Sequence, residues 1–534
     1  MTQSAATTPP HEAPGRLIAR TIGVGPPEGS PAARASWGKV IDQTRCIGCH
    51  ACTTACKSEN DVPLSVTRTF VKNVDVGTFP QTRRAFQVTR CNQCADAPCV
   101  AACPTSAMYV RPDGIVDFDK EVCIGCKACM AACPYDAIFI NPDDHCAEKC
   151  NFCAHRLEMG LEPACVVVCP TGAIMVGDLG DPDSEVARIV NREPVTVRRP
   201  EKGTRPKLFY KGATQATLDP LAAARPPGDT YAWAEQPSGP GIVTAPVAGT
   251  TNSSAAAVIS YDVAHHAPWD WRVSLYTWTK SIAAGAYLVP LLLVLLGRLN
   301  SDHPLWVWAT PLVSGVFLAI TAGVLIADLE HPERFYLILT RPQWRSWLVR
   351  GGIILSGFTA ALGLHLLGSL TGIAGLRVAA AVIGAPLALL TAVYTAYLLA
   401  QAKARDLWQN PLLPPHMAVQ AVLAGSAVLL PVLALNGEPA ARDATAWLLA
   451  AAALTHLLFL AGETTLPHVT AHARLAANAM LTGRYRTYFW AAAVLVGLGL
   501  LAPWAGAWVG LPALVGLALY EHAYVQAGQS VPLA

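Results

Sequence analysis

Apolar positions are distributed along this chain in two unlike ways. From about residue 270 onward they run in stretches of about 20, the length a helix needs to cross a hydrocarbon core about 30 Å thick. The stretches fall at about 274–297, 306–328, 347–369, 377–400, 416–435, 446–466, 488–505 and 507–526, with only a Pro503–Gly506 break between the last two. They predict an all-α eight-helix transmembrane bundle over residues 269–534, with Trp and Tyr near many of its helix ends. Ahead of it, residues 217–268 are rich in Pro, Ala, Gly, Thr and Ser and read as a linker. Residues 1–37 are similar and read as a disordered leader. They contain neither an apolar core of signal-peptide length nor a twin-arginine pair. What remains, residues 38–216, is where the cysteines lie.

Composition sharpens this division. Charged residues make up only 14% of the chain and hydrophobic ones 52%, a bias that belongs to the C-terminal half. The formal net charge of +2 gives no reason to expect a nucleic acid partner. All 17 cysteines fall between Cys46 and Cys169. Without a signal peptide the cysteine region is expected in a reducing compartment, where cysteine clusters point to metal or catalysis rather than disulfides.

Sixteen cysteines sort into four quartets: Cys46, Cys49, Cys52, Cys56; Cys91, Cys94, Cys99, Cys103; Cys123, Cys126, Cys129, Cys133; and Cys150, Cys153, Cys165, Cys169. The first and third have the C-x2-C-x2-C-x3-C spacing of bacterial ferredoxins, in which three thiolates on a tight loop hold one cubane cluster and the fourth reaches its neighbour. Gly48 and Gly125 let these loops turn sharply. Pro follows Cys103, Cys133 and Cys169, whereas Lys57 follows Cys56. Zinc knuckles seldom use this spacing. Cys146 fits no quartet and is expected to be a free thiol.

The four quartets in this order resemble the four-cluster iron–sulfur subunit of molybdenum or tungsten bis-pterin oxidoreductases, such as formate dehydrogenase, dimethyl sulfoxide reductase and polysulfide reductase. The resemblance extends to the segment Arg199–Tyr210. It implies an α+β ferredoxin-like domain holding four [4Fe–4S] clusters. It also implies their ligands: Cys46, Cys49, Cys52 and Cys169; Cys56, Cys150, Cys153 and Cys165; Cys91, Cys94, Cys99 and Cys133; and Cys103, Cys123, Cys126 and Cys129. Every position is Cys, so no iron is left open for substrate, and the array is a conductor that requires a separate catalytic partner subunit.

The later segments Asp328–Phe335, Arg341-Pro342, Ser346–Leu348, Tyr394–Leu399 and Trp408–Pro414 resemble the NrfD-type membrane subunit of polysulfide reductase. That resemblance implies a menaquinone or ubiquinone site near the cluster-side surface, and no haem. Reducing a quinone consumes two electrons and two protons, so the site needs hydrogen-bond donors to the carbonyls and a titratable path to water. Ionisable groups inside an apolar slab are functional candidates by default. The candidates are Tyr276, Lys280, Asp328, His331, Tyr394 and Tyr397. Snorkelling is the rival role for Lys280, and an i,i+4 ion pair is the rival role for Glu330 and Arg334. His456 and Glu463, seven apart, share a helix face and suit either a proton path or a helix–helix hydrogen bond. Haem ligation by His365 and His456 would need a repeated two-helix histidine pattern that the chain does not have.

An even number of spans puts both ends of the bundle on the cluster side. Ten flanking basic residues lie there, from Arg272 through Arg334, Arg341, Arg345, Arg350, Lys403, Arg405, Arg474 and Arg484 to Arg486, against Arg298, Arg377 and Arg442 opposite. This bias predicts the cluster domain in the cytoplasm. The expected whole is an electron-transfer and membrane-anchor component linking a catalytic subunit, of the formate dehydrogenase or sulfur-compound reductase type, to the quinone pool. The alternative is a redox-driven proton-translocating component of a hydrogenase or quinol-oxidising complex.

Overall fold

A computed structural model describes residues 35–77, 80–225, 256–436 and 438–534. The expected leader therefore lies outside the described residues except for its last three, and so does most of the expected linker.

Two small sheets frame the cysteine loops. Strand β1 (Trp37–Asp42) runs antiparallel to β4 (Ile174–Asp178) and parallel to β5 (Leu208–Lys211), so the start and end of the domain are joined in one sheet. The second sheet pairs β2 (Thr69–Val76) with β3 (Arg83–Arg90), with β6 (Ala257–Tyr261) antiparallel along the other edge of β2. β6 comes from the stretch that the sequence marks as linker. Its Ala257, Ile259 and Tyr261 are buried, and this alternation gives a Pro/Ala/Gly-rich connector one face to pack. Two short hairpins, Met108–Val110 with Val116–Phe118 and Ile138–Ile140 with Ala147–Lys149, support the central cysteines.

The bundle contains seven helices long and apolar enough to span a bilayer. They are α1 (Trp271–Leu295), α2 (Leu305–Ala327), α3 (Trp347–Thr371), α4 (Ala374–Ala400), α5 (Leu413–Asn436), α6 (Pro439–Thr465) and α7 (Arg486–Ala505). The eighth stretch of the sequence becomes α8 (Gly510–Ser530), 21 residues long but not among those seven. Its cluster-side half carries Glu521, His522, Gln526 and Gln529, which lower its apolarity. A short helix, Ala471–Leu481, lies between α6 and α7, and a 3-10 turn at Gly499–Leu501 interrupts α7.

α1 is the hub, with buried residues along most of its length. It meets α5 where Gly285 faces Gly425, and a methyl group on Gly285 would overlap the carbonyl oxygen of Ala421. Lipid tails are as apolar as leucine side chains, so helices in a bilayer associate through such close backbone packing rather than through burial from water.

Candidate functional site

The cysteines sit on loops whose backbone only a few residue types tolerate. Gly48 and Gly125 have φ of 69° and 66°, and the residues after the second cysteine of each motif, His50 and Lys127, are also left-handed at 59° and 60°. Each turn leads into a short helix, Ala51–Glu59 or Ala128–Ala132, that carries the next cysteines inward.

The fold brings the thiols together in four groups. Cys103, Cys123, Cys126 and Cys129 line one interior pocket. Cys91, Cys94, Cys99 and Cys133 line a second. Cys46 has Cys169 and Cys49 as sulfur neighbours, and Cys52 has Cys165, Cys46 and Cys169, so this group adjoins the next. Cys56 faces Cys150, Cys165 and Cys153. None of the 17 cysteines is joined in a disulfide.

This donor set suits iron–sulfur clusters. Backbone N–H groups point at sulfur, among them Met108 to Cys103 at 3.3 Å, Ala147 to Cys123 at 3.4 Å and Ala173 to Cys169 at 3.2 Å. Such hydrogen bonds stabilise and tune cluster thiolates. Among the described residues no three Cys, His, Asp or Glu side chains converge on a single ion. A tetrahedral zinc, with Zn–S bonds of about 2.3 Å, would draw its ligands closer than a cube does.

The quartet of Cys103, Cys123, Cys126 and Cys129 lies against the membrane domain. Trp269 Nε1 donates to the carbonyl of Cys126 at 3.3 Å, and Arg334 Nη1 donates to the carbonyls of Lys120 and Cys123, both at 3.0 Å. Glu330 pairs with Lys127 at 2.8 Å, and a side chain on Gly125 would collide with Glu330. The i,i+4 pair that the sequence allows between Glu330 and Arg334 is thus replaced by separate contacts across the domain boundary, because both residues face the cysteine loop after α2. His331 lies in the same contact, 2.9 Å from the carbonyl of Asp144 and 3.4 Å from Cys146 Sγ. Cys146 is buried and donates to the carbonyl of Lys120 at 3.3 Å. Asp328, at the end of α2, is buried with Oδ1 unpartnered by hydrogen bonds; burial pushes its carboxyl up to about 6, against the pull of Lys127.

Below this boundary the helices enclose polar side chains. Lys280 is fully buried rather than snorkelling, with Nζ donating to the Ala392 carbonyl at 2.5 Å and lying 5.6 Å from the centre of the Tyr394 ring. Tyr276 is buried beside Tyr394 and Thr395, with Asp328 and Glu521 in electrostatic reach, and its hydroxyl makes no well-formed hydrogen bond to the described residues. Glu521 on α8 faces Lys280. Each is nine residues from the cluster-side end of its helix, about 14 Å deep, near the middle of a bilayer. A second polar group joins α5, α6 and α8. His416 Nε2 and His456 Nδ1 are 2.9 Å apart, and the Tyr520 hydroxyl donates to Glu463 at 3.4 Å.

Of the candidates, the structure gathers Tyr276, Lys280 and Tyr394, with Asp328 above them. Tyr397 stands apart, 40% exposed on the outer surface and stacked on Trp347 at 4.4 Å. His365 lies in the other half of the bundle, against Tyr287 and Trp306, away from the His416–His456 pair. Glu521, His416 and Tyr520 were missed from the sequence. Glu521 was visible as a carboxylate within the last apolar stretch. His416 fell on a predicted boundary, and Tyr520 has no signal outside the fold.

Comparison with known proteins agrees in both halves. Residues 82–179 match a 4Fe-4S dicluster domain, residues 37–58 a 4Fe-4S binding domain, and residues 262–505 the family of polysulphide reductase NrfD. A tetrathionate reductase subunit of Salmonella typhimurium is 44% identical over 208 residues, 38% of this chain and 81% of that protein. A polysulfide reductase component of Wolinella succinogenes is 44% identical over 176 residues, 32% of this chain and 92% of that protein. The arsenate respiratory reductase iron–sulfur subunit of a Shewanella species is 35% identical over 221 residues, 32% of this chain and 94% of that protein.

Proposed function

This protein belongs to the iron–sulfur electron-transfer subunits of multi-subunit reductases, joined in one polypeptide to an NrfD-type membrane domain, and from that premise we propose that it carries electrons between a partner catalytic subunit and the membrane quinone pool. Four [4Fe–4S] clusters, held by the four cysteine groups above, supply one-electron transfer. The names of the relatives favour a partner that reduces sulfur compounds or arsenate over formate dehydrogenase, with a molybdenum or tungsten bis-pterin centre. The basic residues flanking the spans favour a cytoplasmic cluster domain, and α8 serves as the eighth span.

One observation carries the quinone reading. The cysteine group at the domain boundary stands directly over a buried polar set that no cysteine serves. In this reading Lys280 and Tyr276 donate hydrogen bonds to a quinone carbonyl, and Glu521 faces the Lys280 side chain. Asp328, its carboxyl raised by burial to about 6 at the boundary, exchanges protons with water as two electrons and two protons convert quinone to quinol. The test is quinol-linked turnover of Lys280→Ala and Asp328→Ala alongside dye-linked turnover. Both variants are expected to lose the first and keep the second; unchanged quinol-linked turnover in both would sink the reading.

A second reading, coupled proton translocation, is favoured by the His416–His456 and Tyr520–Glu463 contacts, which lie beside that polar set. It requires Glu463→Gln to abolish proton release from proteoliposomes while electron transfer continues. Proton release that survives the substitution removes Glu463 from any such path.

A further inference from the structure

Arg90 ends β3 immediately before Cys91, yet its guanidinium serves other cysteines. It is 1% exposed, and Nη1 donates to Cys165 Sγ at 3.0 Å. Its strongest electrostatic partners are all sulfurs: Cys165, Cys52 and Cys150. Nε and Nη2 are buried and make no hydrogen bond to the described residues. Lys39, equally buried, brings Nζ to 4.0 Å from the same Cys165 Sγ and 4.2 Å from the centre of the Phe152 ring. Two buried basic side chains thus converge on Cys165. A buried cation persists only where a counter-charge meets it, and the charges that meet Arg90 are cysteine sulfurs.

The group at the membrane boundary has a different setting. Cys126 there has the Asp328 carboxylate in reach. Lys127, the cation of that loop, is already paired with Glu330. At the Cys56–Cys150–Cys153–Cys165 group the basic side chains face sulfur itself: Arg90, which also reaches Cys52 of the adjoining group, and Lys39.

We propose that Arg90, assisted by Lys39, is the built-in counter-charge of the group formed by Cys56, Cys150, Cys153 and Cys165, raising its midpoint potential and making it a resting place for a single electron within the chain. The inference rests on the cluster assignment proposed above. The step it concerns adds one electron to this group and removes the same electron from the neighbouring group of Cys46, Cys49, Cys52 and Cys169. No proton or heavy atom moves. The added negative charge appears beside the guanidinium, and nearby charge is one of the influences that set cluster potentials.

The experiment is a reductive titration of the full-length chain, followed by electron paramagnetic resonance, with iron analysis of every sample. Arg90→Gln, with all four clusters retained, should move one midpoint of the four to lower potential. The expected shift is at least tenfold in the oxidised-to-reduced ratio, about 59 mV for a one-electron couple. Arg90→Lys should restore part of it, and Lys39→Met should move the same midpoint in the same direction. If Arg90→Gln loses a cluster, Arg90→Lys and Lys39→Met decide between them. Unmoved midpoints in the variants that keep their clusters, or all four moving together, would overturn the proposal. Failure of the underlying assignment shows separately, as an unsubstituted protein with fewer than four [4Fe–4S] clusters by iron content and spectrum.

Discussion

The two halves of this molecule bury polar chemistry by opposite means. In the cysteine domain the reactive groups lie on loops, two of which hold three thiols within seven residues of chain, and secondary structure does little more than fasten the loops together. In the membrane domain regular helix accounts for almost everything, and the polar set is assembled from Tyr276 and Lys280 of α1, Tyr394 of α4 and Glu521 of α8, below Asp328. A site built from one loop survives changes elsewhere in the fold. A site built from several helices depends on every crossing that holds them in register.

That contrast is sharpened most by removing one cysteine. Cys126→Ala should lower iron content by about a quarter and abolish quinol-linked turnover, while the other three groups keep their spectra. A spread of the damage to all four groups would mean that the loops are not independent units.

Next in size is the joint between the halves. His265 lies 2.6 Å from Asp136 and 3.0 Å from Asp262. Burial pulls its imidazole down, but Asp262 and Asp136 outweigh this and hold it at about 9, above the ordinary 6.5. A raised imidazole favours the folded state fully below about pH 6.5, and that contribution is lost as pH climbs through about 9. The joint should therefore weaken by up to about 3 kcal/mol over that window, at about 1.4 kcal/mol per pH unit. Unfolding measured across pH 6 to 10 checks this. The window should vanish in His265→Gln, and a window that persists in that variant assigns it to other groups.

The smallest effect belongs to the helix crossing. Gly285→Ala forces α1 away from α5 and should cost about 1–3 kcal/mol, the usual range for overpacking. Thermal unfolding in detergent should show it while cluster spectra remain unchanged. A cluster spectrum that changes with this substitution would show that the halves do not report separately.

The same contrast explains what the sequence makes legible. Cysteine spacing is local information, and two of the expected sets, Cys103, Cys123, Cys126, Cys129 and Cys91, Cys94, Cys99, Cys133, each line one interior pocket. Apolar runs are local too, and seven spans fall within a few residues of their expected places, the exception being the start of α6 at Pro439 rather than about residue 446. Glu330 and Arg334 were readable as a pair along one segment, but their partners, Lys127 and the carbonyls of Lys120 and Cys123, come from a loop about 200 residues earlier. Tyr397 sits three residues from Tyr394, so nearly one helical turn places it toward the same side, yet it stacks on Trp347 at the surface instead. Only the crossings of the helices separate the two tyrosines, and crossings are set by side chains on other elements. β6 escaped notice because five residues of alternating burial are a weak signal in a stretch otherwise rich in Ala, Ser and Thr.

β6 also bears on how this protein behaves when diluted. Once the strand is paired with β2, only nine residues separate the cysteine domain's sheet from the start of α1. So short a tether keeps the boundary cysteines and the helices beneath them at an effective concentration on the order of millimolar, whatever the concentration of the protein. A catalytic partner that docks without a covalent link has no such protection. Dilution in detergent should release it first, leaving a polypeptide still wired to its own membrane domain.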